Sequence, residues 1–489
     1  MRLRKRHLSP AVLVSKLRQP GMFSTLLRGT GIVFMAQACG TGVGYILQIC
    51  LARWMGPTEY GFYTYLMAWT YIGSMFAAMG FGPSLLRFVP EYHTKQDEGR
   101  LKGVIRGSLV LTLGSSLLLA LVGTGVVLWL NASRGIDQMT AILLALWSIP
   151  LLTTNRLTIS VLRGIRKMVA AYAPTRVLRP TLILLGSLGV FAAQGYDSLS
   201  SAAVMAVTIA ALFIVEVVAG LVAERSLSHN HQVRPTYDLR GWLRVSLPLL
   251  LIGSFVKVLK QTDVLMIGLL LTAGDVGFYN AAVKTSNLAG FALSSVSGIA
   301  APMIAATYAE GNPVKLQRLM NRVSQIVVLP SLLVTIGLVV LARPILWTFG
   351  PDFVQAQWCL IILAIAQFIR ASTGPAGHLL ELTGHQDESA RARAGSAFTN
   401  IALNLIGISL FGIVGAALAT ATAILLERVW IDRLVARHIR INASVFSQLA
   451  NTSNPSEVGE SSAAPQDPDP SDSDPGNPDP SDSDPKDDP

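Results

Sequence analysis

The chain has 489 residues, of which 51% are hydrophobic and only 14% are charged, whereas soluble proteins carry about 25% charged residues. This composition excludes an ordinary water-soluble enzyme and predicts a membrane protein. The formal net charge of +10 is unevenly divided: the chain from Glu457 onward holds 11 acidic residues and one lysine, whereas residues 1–456 hold 38 Lys and Arg against 18 Asp and Glu.

Apolar runs of about 20 residues, long enough to cross a hydrocarbon core of about 30 Å, recur at near-regular spacing along the chain. The last two are separated only by the turn Phe411-Gly412. The sequence predicts twelve transmembrane helices, at about 30–53, 59–82, 105–130, 138–161, 171–194, 199–222, 245–271, 277–300, 324–346, 357–381, 394–411 and 413–433.

Lysine and arginine fall almost entirely on one side of this arrangement. The N-terminal flank, the even-numbered loops and the C-terminal flank hold 28 of them, and the opposite side holds three. Because positive loops stay in the cytoplasm, both termini are predicted to be cytoplasmic in a multi-pass plasma-membrane protein. The outward loops are short and leave no room for an extracellular catalytic domain.

Two pairs of short segments indicate an internal repeat. Residues 58–63 (TEYGFY) resemble residues 274–279 (GDVGFY), and residues 162–164 (LRG) resemble residues 382–384 (LTG). The offsets are 216 and 220 residues, and both members of each pair hold the same topological position. Because six helices per half is an even number, the halves are predicted to be parallel and related by an axis along the membrane normal.

The sequence therefore predicts an all-α polytopic membrane protein with two parallel six-helix bundles. The tail lacks apolar residues from about residue 457 and is predicted to be disordered. The predicted segments are a basic cytoplasmic flank at 1–29, the bundles at 30–222 and 245–433, a cytoplasmic connector at 223–244 and a cytoplasmic tail at 434–489.

Seven cations fall inside the predicted spans, against two acids, Glu216 and Asp263. A charge at the bilayer centre costs about 2.5–3.5 kcal/mol, so those that cannot reach the surface are expected to line a cavity. A cationic cavity in a low dielectric attracts an anion. The seven are Arg156, Arg176, Arg179, Lys257, Lys260, Lys284 and Arg370.

These cations differ in depth. Lys257 and Arg370 lie near mid-span and are predicted to bind the anion. Arg156 and Arg176 lie near the cytoplasmic ends of their helices, where long side chains can snorkel to the interface, and this is expected of both. For Lys284, about seven residues inside its helix, snorkelling and a functional role both remain open.

The two acids are interpreted as members of structural ion pairs. Lys260 and Asp263 lie three residues apart on one helix face, and we expect them to pair. Glu216 is expected to neutralise Arg176 or Arg179 across the fifth and sixth helices.

Enzyme signatures are missing from the sequence, which contains no HExxH motif, no P-loop and no nucleophile elbow. We therefore predict a protein that is not an enzyme, with no metal site, no cofactor and no nucleic-acid partner.

Several short motifs occur along residues 25–440. They are residues 56–63 (GPTEYGFY), 87–91 (RFVPE), 263–268 (DVLMIG) and 277–284 (GFYNAAVK), Asn400 and Asn404, and residues 411–420 (FGIVGAALAT). Together these motifs resemble the polysaccharide branch of the multidrug/oligosaccharidyl-lipid/polysaccharide (MOP) flippase superfamily, of the O-antigen and oligosaccharide flippase type.

This resemblance implies two bundles in a V around a central cavity, and alternating access that carries a polyprenyl-diphosphate-linked oligosaccharide from the cytoplasmic to the outer leaflet. The expected diphosphate ligands are Lys257, Arg370, Arg179 and Lys284. The expected partners are that lipid, membrane lipid and glycan-assembly proteins. The coupling ion, H⁺ or Na⁺, has no assignable site. The first helix of the lipid II branch bears cationic residues, whereas nothing charged lies between Arg28 and Arg53 here. This difference disfavours a peptidoglycan-precursor role.

Two alternatives remain open. A cation-coupled multidrug exporter of the same superfamily would use an acidic cavity, which the surplus of cations disfavours. A membrane glycan polymerase or ligase would need a large outward loop with acidic or histidine side chains, which the short loops disfavour.

Overall fold

A computed structural model describes five stretches of the chain, within which the side chains of 20–36, 251–257, 259–260, 298–299, 302 and 378 are not described. The N-terminal flank up to residue 19, the middle of the connector and the predicted acidic tail lie outside the described residues. The stretches are 20–130, 135–195, 198–227, 233–374 and 376–439.

The described residues form helices joined by short turns. A π-helical turn, Pro174–Leu178, joins α5 to α6, and a 3₁₀ turn, Pro351–Ala356, joins α12 to α13. The helices are α1 Pro20–Ala77, α2 Phe81–Thr94, α3 Glu98–Leu130, α4 Ile136–Gly164, α5 Met168–Ala173, α6 Arg179–Ala193, α7 Ser201–Leu227, α8 Leu239–Leu270, α9 Ala273–Ser286, α10 Phe291–Ala309, α11 Pro313–Val340, α12 Ala342–Phe349, α13 Gln357–Ser372, α14 Ala376–Leu382 and α15 Gln386–Ile439.

No strand occurs in the described stretches, and the predicted all-α class is confirmed. Seven helices there are long and apolar enough to cross a membrane, and eight if the bent pair Gln37–Ala77 and Phe81–Thr94 forms one span. Each of the twelve predicted spans coincides with helical residues, but the number twelve stays a prediction, as do the boundaries of the two bundles.

The two longest helices are helical hairpins, because each reverses at a glycine with positive φ. The reversal in α1 is at Gly56 (φ 71°) and that in α15 is at Gly412 (φ 58°). In α15 the arms pack antiparallel: Ser396 Oγ donates to the Ala423 carbonyl oxygen at 2.6 Å, and a Cβ added at Gly415 would collide with the Gly407 carbonyl. The turn predicted at Phe411-Gly412 therefore separates two antiparallel segments.

Equivalent residues of the predicted repeat make equivalent contacts. The Tyr63 hydroxyl lies 3.1 Å from Thr208 Oγ1, and the Tyr279 hydroxyl, 216 positions later, lies 3.3 Å from Thr420 Oγ1. In both cases a tyrosine in the first or second helical turn after a reversal bonds to a threonine of a later helix. This similarity supports the predicted repeat.

The two copies of the repeat motif also pack against each other. A Cβ added at Gly61 of α1 would collide with the Ala273 carbonyl, and one added at Gly277 of α9 would lie 2.5 Å from the Pro57 carbonyl. Backbone contact at this range requires glycine on both helices. Tyr60 and Tyr279 are fully buried in the core beside this contact, which lies on the side predicted to face outward.

Candidate functional site

A cavity of about 480 Å³ lies between α1, the π-helical turn, α6, α8 and α9. Three basic side chains line it: Arg176, Arg179 and Lys284. Among the described residues that form its wall there is no Asp or Glu, and none of the three cations pairs with an acid of the described stretches. We call it the cationic cavity.

The π-helical turn brings two of these cations to the wall. Its backbone is widened so that the Arg179 N–H donates to the Pro174 carbonyl. Pro180 has no N–H to offer to the Arg176 carbonyl, and Gly40 of α1 approaches that carbonyl closely, since a Cβ there would lie 2.6 Å from its oxygen. Insertions of this kind often mark functional sites, and this one places two arginines one turn apart on the cavity wall.

Lys284 reaches the cavity from the other predicted half of the chain. Helix α9 starts at a capping box formed by Thr272 and Asp275, and Lys284 lies in its last turn. Tyr71 of α1 is the common neighbour of the cations, because Arg179, Lys284 and Arg156 all act electrostatically on its hydroxyl. Two of the three wall cations, Arg179 and Lys284, therefore converge on Tyr71 from different helices.

Uncharged hydrogen-bonding groups complete the wall. Gln48 of α1 and Asn280 of α9 both line the cavity, and Tyr60 links them: its hydroxyl donates to Gln48 Oε1 at 2.8 Å and accepts from Asn280 Nδ2 at 2.8 Å. Tyr45, also on the wall, has its hydroxyl 3.1 Å from Thr285 Oγ1. These pairings orient amides and hydroxyls toward the cavity from both predicted halves. The sequence motifs contained Tyr60 and Asn280 without assigning them a role, and Gln48, Tyr45 and Thr285 were not noted.

The predicted phosphate ligands do not all meet in this cavity. Arg179 and Lys284 do, and Arg176, which was expected to snorkel, joins them. Arg370 on α13 does not line it. Its electrostatic neighbours are Glu427 and Arg393. The side chain of Lys257 lies outside the described residues.

Arg370 belongs instead to a cluster of charges between α13, α14 and α15. Arg393 pairs with Glu381, and Glu427 lies 3.7 Å from Arg428. Arg370 is half-buried, and its mid-span depth in the sequence does not determine which neighbouring helix its side chain faces.

The predicted ion pair of Glu216 with Arg176 or Arg179 is wrong. Glu216 on α7 faces α4, where its carboxylate accepts from Asn155 Nδ2 at 3.0 Å and from Thr158 Oγ1 at 2.6 Å. Two neutral donors on one face of α4 satisfy the acid, so it needs no cation from α6. Asn155 and Thr158 were not recognised because polar uncharged residues are common in apolar helices.

Asp263 is held by a polar cluster within α8, α9 and α15. Its carboxylate accepts from the Tyr279 hydroxyl at 2.9 Å, from Asn404 Nδ2 at 2.7 Å and from Thr420 Oγ1 at 2.6 Å. Asn400 is bonded to both Asn404 and Thr420. The expected partner, Lys260, has a side chain outside the described residues. The motifs contained every member of this cluster, but their contact was not evident from the sequence.

Comparisons with known proteins agree with this architecture. Residues 26–308 match the family described as polysaccharide biosynthesis protein, which is more than half of the chain. A shorter stretch of 164 residues is 30% identical to the probable low-salt glycan biosynthesis flippase Agl15 of Haloferax volcanii, covering 32% of this chain and 34% of that relative. The match therefore spans about a third of the relative's length.

The fold is similar to that of solved membrane transporters. An inward-facing multidrug resistance MATE family transporter of the MOP superfamily aligns with a TM-score of 0.65 at 14% identity, over 84% of this chain and 98% of the other. The lipid II flippase MurJ, in an inward closed conformation, aligns at 0.64 and 16% identity, over 83% and 87%. The fold and site thus define a multi-pass membrane protein with the MOP superfamily fold. The chain belongs to the polysaccharide biosynthesis protein family.

Proposed function

We propose that the chain is a flippase that carries a polyprenyl-diphosphate-linked oligosaccharide across the membrane during glycan biosynthesis. The observation that carries the proposal is the cationic cavity, where Arg176, Arg179 and Lys284 stand together with no acid on the described wall. Three like charges that face one cavity attract an anion, and a lipid-linked diphosphate supplies negative charge.

The wall chemistry also fits the neighbouring sugars. Arginine binds phosphate oxygens through several N–H groups at once, whereas lysine acts as a point charge. The amides and hydroxyls of Gln48, Asn280 and Tyr45 are suited to sugar hydroxyls. About 480 Å³ lies within the range of about 300–1,000 Å³ usual for small-molecule sites. We propose that the cavity holds the diphosphate and the first sugars, while the prenyl tail remains in lipid.

We propose that transport proceeds by alternating access, and the position of the cavity supports this. Its wall draws on α1 and α6 from one predicted half and on α8 and α9 from the other. Rocking of the halves about this site would break the Gly61–Gly277 contact on the predicted outer side and open the cavity there. The similarity to the glycan biosynthesis flippase and to the lipid II flippase supports the same kind of activity for this chain.

The multidrug-exporter alternative receives less support. The MATE similarity is at 14% identity and concerns the fold, whereas three wall cations with no acid on the described part of the wall would repel a cationic drug. In a strain lacking the gene, the proposal predicts unchanged drug susceptibility together with loss of surface glycan.

We propose further that a coupling ion, H⁺ or Na⁺, acts at Asp263. The carboxylate is surrounded by oxygen-bearing side chains, and the buried Oδ1 of Asn404 has no hydrogen-bond partner among the described residues. Hard cations prefer such oxygen ligands.

Thermal unfolding of the purified protein in Na⁺ and in a choline salt, with Asp263→Asn as the variant, tests whether an ion binds at Asp263. A Na⁺-dependent stabilisation that the variant loses supports Na⁺, and pH-dependent stability without a Na⁺ effect supports H⁺. Stability insensitive to both contradicts the assignment.

The cellular test of the function is deletion of the gene followed by analysis of lipid-linked sugars. A blocked flippase should leave an intact lipid-linked oligosaccharide inside the cell, because its assembly precedes translocation. The proposal is supported if the wild-type gene removes this accumulation from the deletion strain and an Arg179→Ala Lys284→Ala double variant does not. Shortened intermediates, or no accumulation, would point to an assembly enzyme or to an unrelated role.

A further inference from the structure

A second, smaller cavity of about 280 Å³ lies between α2, α4 and α8. Arg156 and Arg163 of α4 line it, seven residues apart and so on one helix face, with Ser160 between them. The remaining described wall is apolar or backbone, and no Asp or Glu lines it. We call it the arginine pocket. It lies toward the side predicted to be cytoplasmic, near the start of α2 and of α8.

Both arginines have unused hydrogen-bonding capacity there. Within the described stretches, the Nε atom of each is buried and has no hydrogen-bond partner, and neither arginine pairs with an acid. Arg156 stacks over the Tyr71 ring and Arg163 over the Tyr172 ring, with guanidinium carbons 5.8 and 5.7 Å from the ring centroids. The rings hold the guanidinium planes in place without neutralising them.

Arg156 was predicted to snorkel to the cytoplasmic interface, and the structure shows a different orientation. Its Nη2 donates to the Tyr71 carbonyl at 3.4 Å, so the side chain extends toward mid-membrane. Tyr71 is also part of the wall of the cationic cavity. The two cavities are therefore neighbours, because Arg156 of the arginine pocket contacts Tyr71 of the cationic cavity.

We infer that the arginine pocket binds the phosphoryl head group of a membrane lipid. Two half-buried arginines on one helix face offer several N–H donors, which phosphate oxygens accept in pairs. The apolar wall from α2 and α8 suits the adjoining part of a lipid, and basic pockets between transmembrane helices on this side commonly hold lipid head groups. The binding itself is independent of the function proposed above.

The pocket's role as a loading site rests on the proposed function. If the flippase substrate is a prenyl diphosphate, its head group would bind first to Arg163 and Arg156 and then pass Tyr71 to reach Arg179. If the pocket instead holds an ordinary anionic phospholipid, the same phosphoryl chemistry applies but the lipid is not cargo. The experiment therefore measures the two lipids separately.

The test uses the purified full-length protein in nanodiscs of phosphatidylcholine. Binding of a polyprenyl diphosphate and of phosphatidylglycerol is measured by native mass spectrometry for wild type, Arg163→Ala and Arg156→Ala. Lys167→Ala is the matched control, since it removes an exposed cation one turn from Arg163. Arg163→Lys retains the positive charge, and it replaces the alanine variant in the binding measurement if the alanine variant does not fold.

Loss of one charge-assisted contact should weaken binding at least about tenfold. We expect this for Arg163→Ala and Arg156→Ala with at least one lipid, a smaller effect for Arg163→Lys, and none for Lys167→Ala. Weakened prenyl diphosphate binding identifies the loading site, and weakened phosphatidylglycerol binding alone identifies a phospholipid site. Unchanged affinity for both lipids in both alanine variants overturns the inference. Because binding is measured without transport, a failed flipping assay would bear on the proposed function and not on this pocket.

Discussion

Arg179 stands where the π-helical turn meets α6, within electrostatic range of Tyr63 and Tyr71. Its guanidinium can present a planar fork to a diphosphate, whereas lysine would present only a point charge. We predict that Arg179→Ala lowers the transport rate by at least about tenfold, the equivalent of one charge-assisted contact, and that Arg179→Lys retains an intermediate rate. The ranking of wild type, Arg179→Lys and Arg179→Ala is measured by complementation of a deletion strain. Surface glycan is the readout, and it is corrected for protein level. Equal rates for the lysine and alanine variants would contradict a bidentate role.

Glu216 is a structural acid whose removal should affect stability. Glu216→Leu would leave the Asn155 amide, which is almost fully buried, without its acceptor, and a buried unsatisfied donor costs about 1–3 kcal/mol. Glu216→Gln keeps an acceptor oxygen at the same place. We therefore expect a clearly lower melting temperature for the leucine variant and a near-normal one for the glutamine variant in detergent. Equally low melting temperatures would instead favour an ion pair that needs the charge.

At the scale of helices, the contact between α1 and α9 depends on glycine. Gly61→Ala places a methyl group against the Ala273 carbonyl, so the helices must separate on the predicted outer side. Gly42→Ala, in the same helix, is the control because a Cβ there meets nothing within 4 Å.

The separation of α1 from α9 can be followed at Val276, which is fully buried beside the contact. A cysteine at this position, in a chain whose own three cysteines are replaced by serine, should react faster with a membrane-impermeant maleimide when Gly61→Ala is present. Gly42→Ala should leave the rate unchanged. Equal labelling in all three backgrounds would show that this glycine contact does not close the cavity.

The positions of the helices could be predicted from the sequence, because an apolar run long enough to cross a membrane is a property of the local chain. Even the turn at Phe411-Gly412 was evident from a glycine between two such runs. The partners of buried charges could not be predicted in the same way. Glu216 faces Asn155 because of how α7 packs on α4, and Arg370 faces Glu427 because of how α13 packs on α15. The facing sides of helices far apart in sequence are set by tertiary packing, which a single sequence does not encode locally.

At the scale of the whole molecule, the distribution of Lys and Arg predicts that both chain ends are cytoplasmic. Alkaline phosphatase, which is active only outside the cytoplasm, should be inactive when fused after residue 439, whereas green fluorescent protein at the same place should fluoresce. The same pair fused after residue 195, in a predicted outward loop, should give the reverse result. Active phosphatase at the C-terminal fusion would invert the topology and place the arginine pocket on the outer side.

The central claim is that the cationic cavity carries a lipid-linked diphosphate, and the most direct measurement is flipping in proteoliposomes. A fluorescent polyprenyl-diphosphate oligosaccharide is incorporated, and the fraction that an impermeant quencher reaches is followed over time. The account predicts rapid exchange between leaflets with the wild type and with Lys315→Ala, an exposed surface variant, and slow exchange with Arg179→Ala Lys284→Ala. Wild-type exchange by the double variant, at equal protein incorporation, would contradict it.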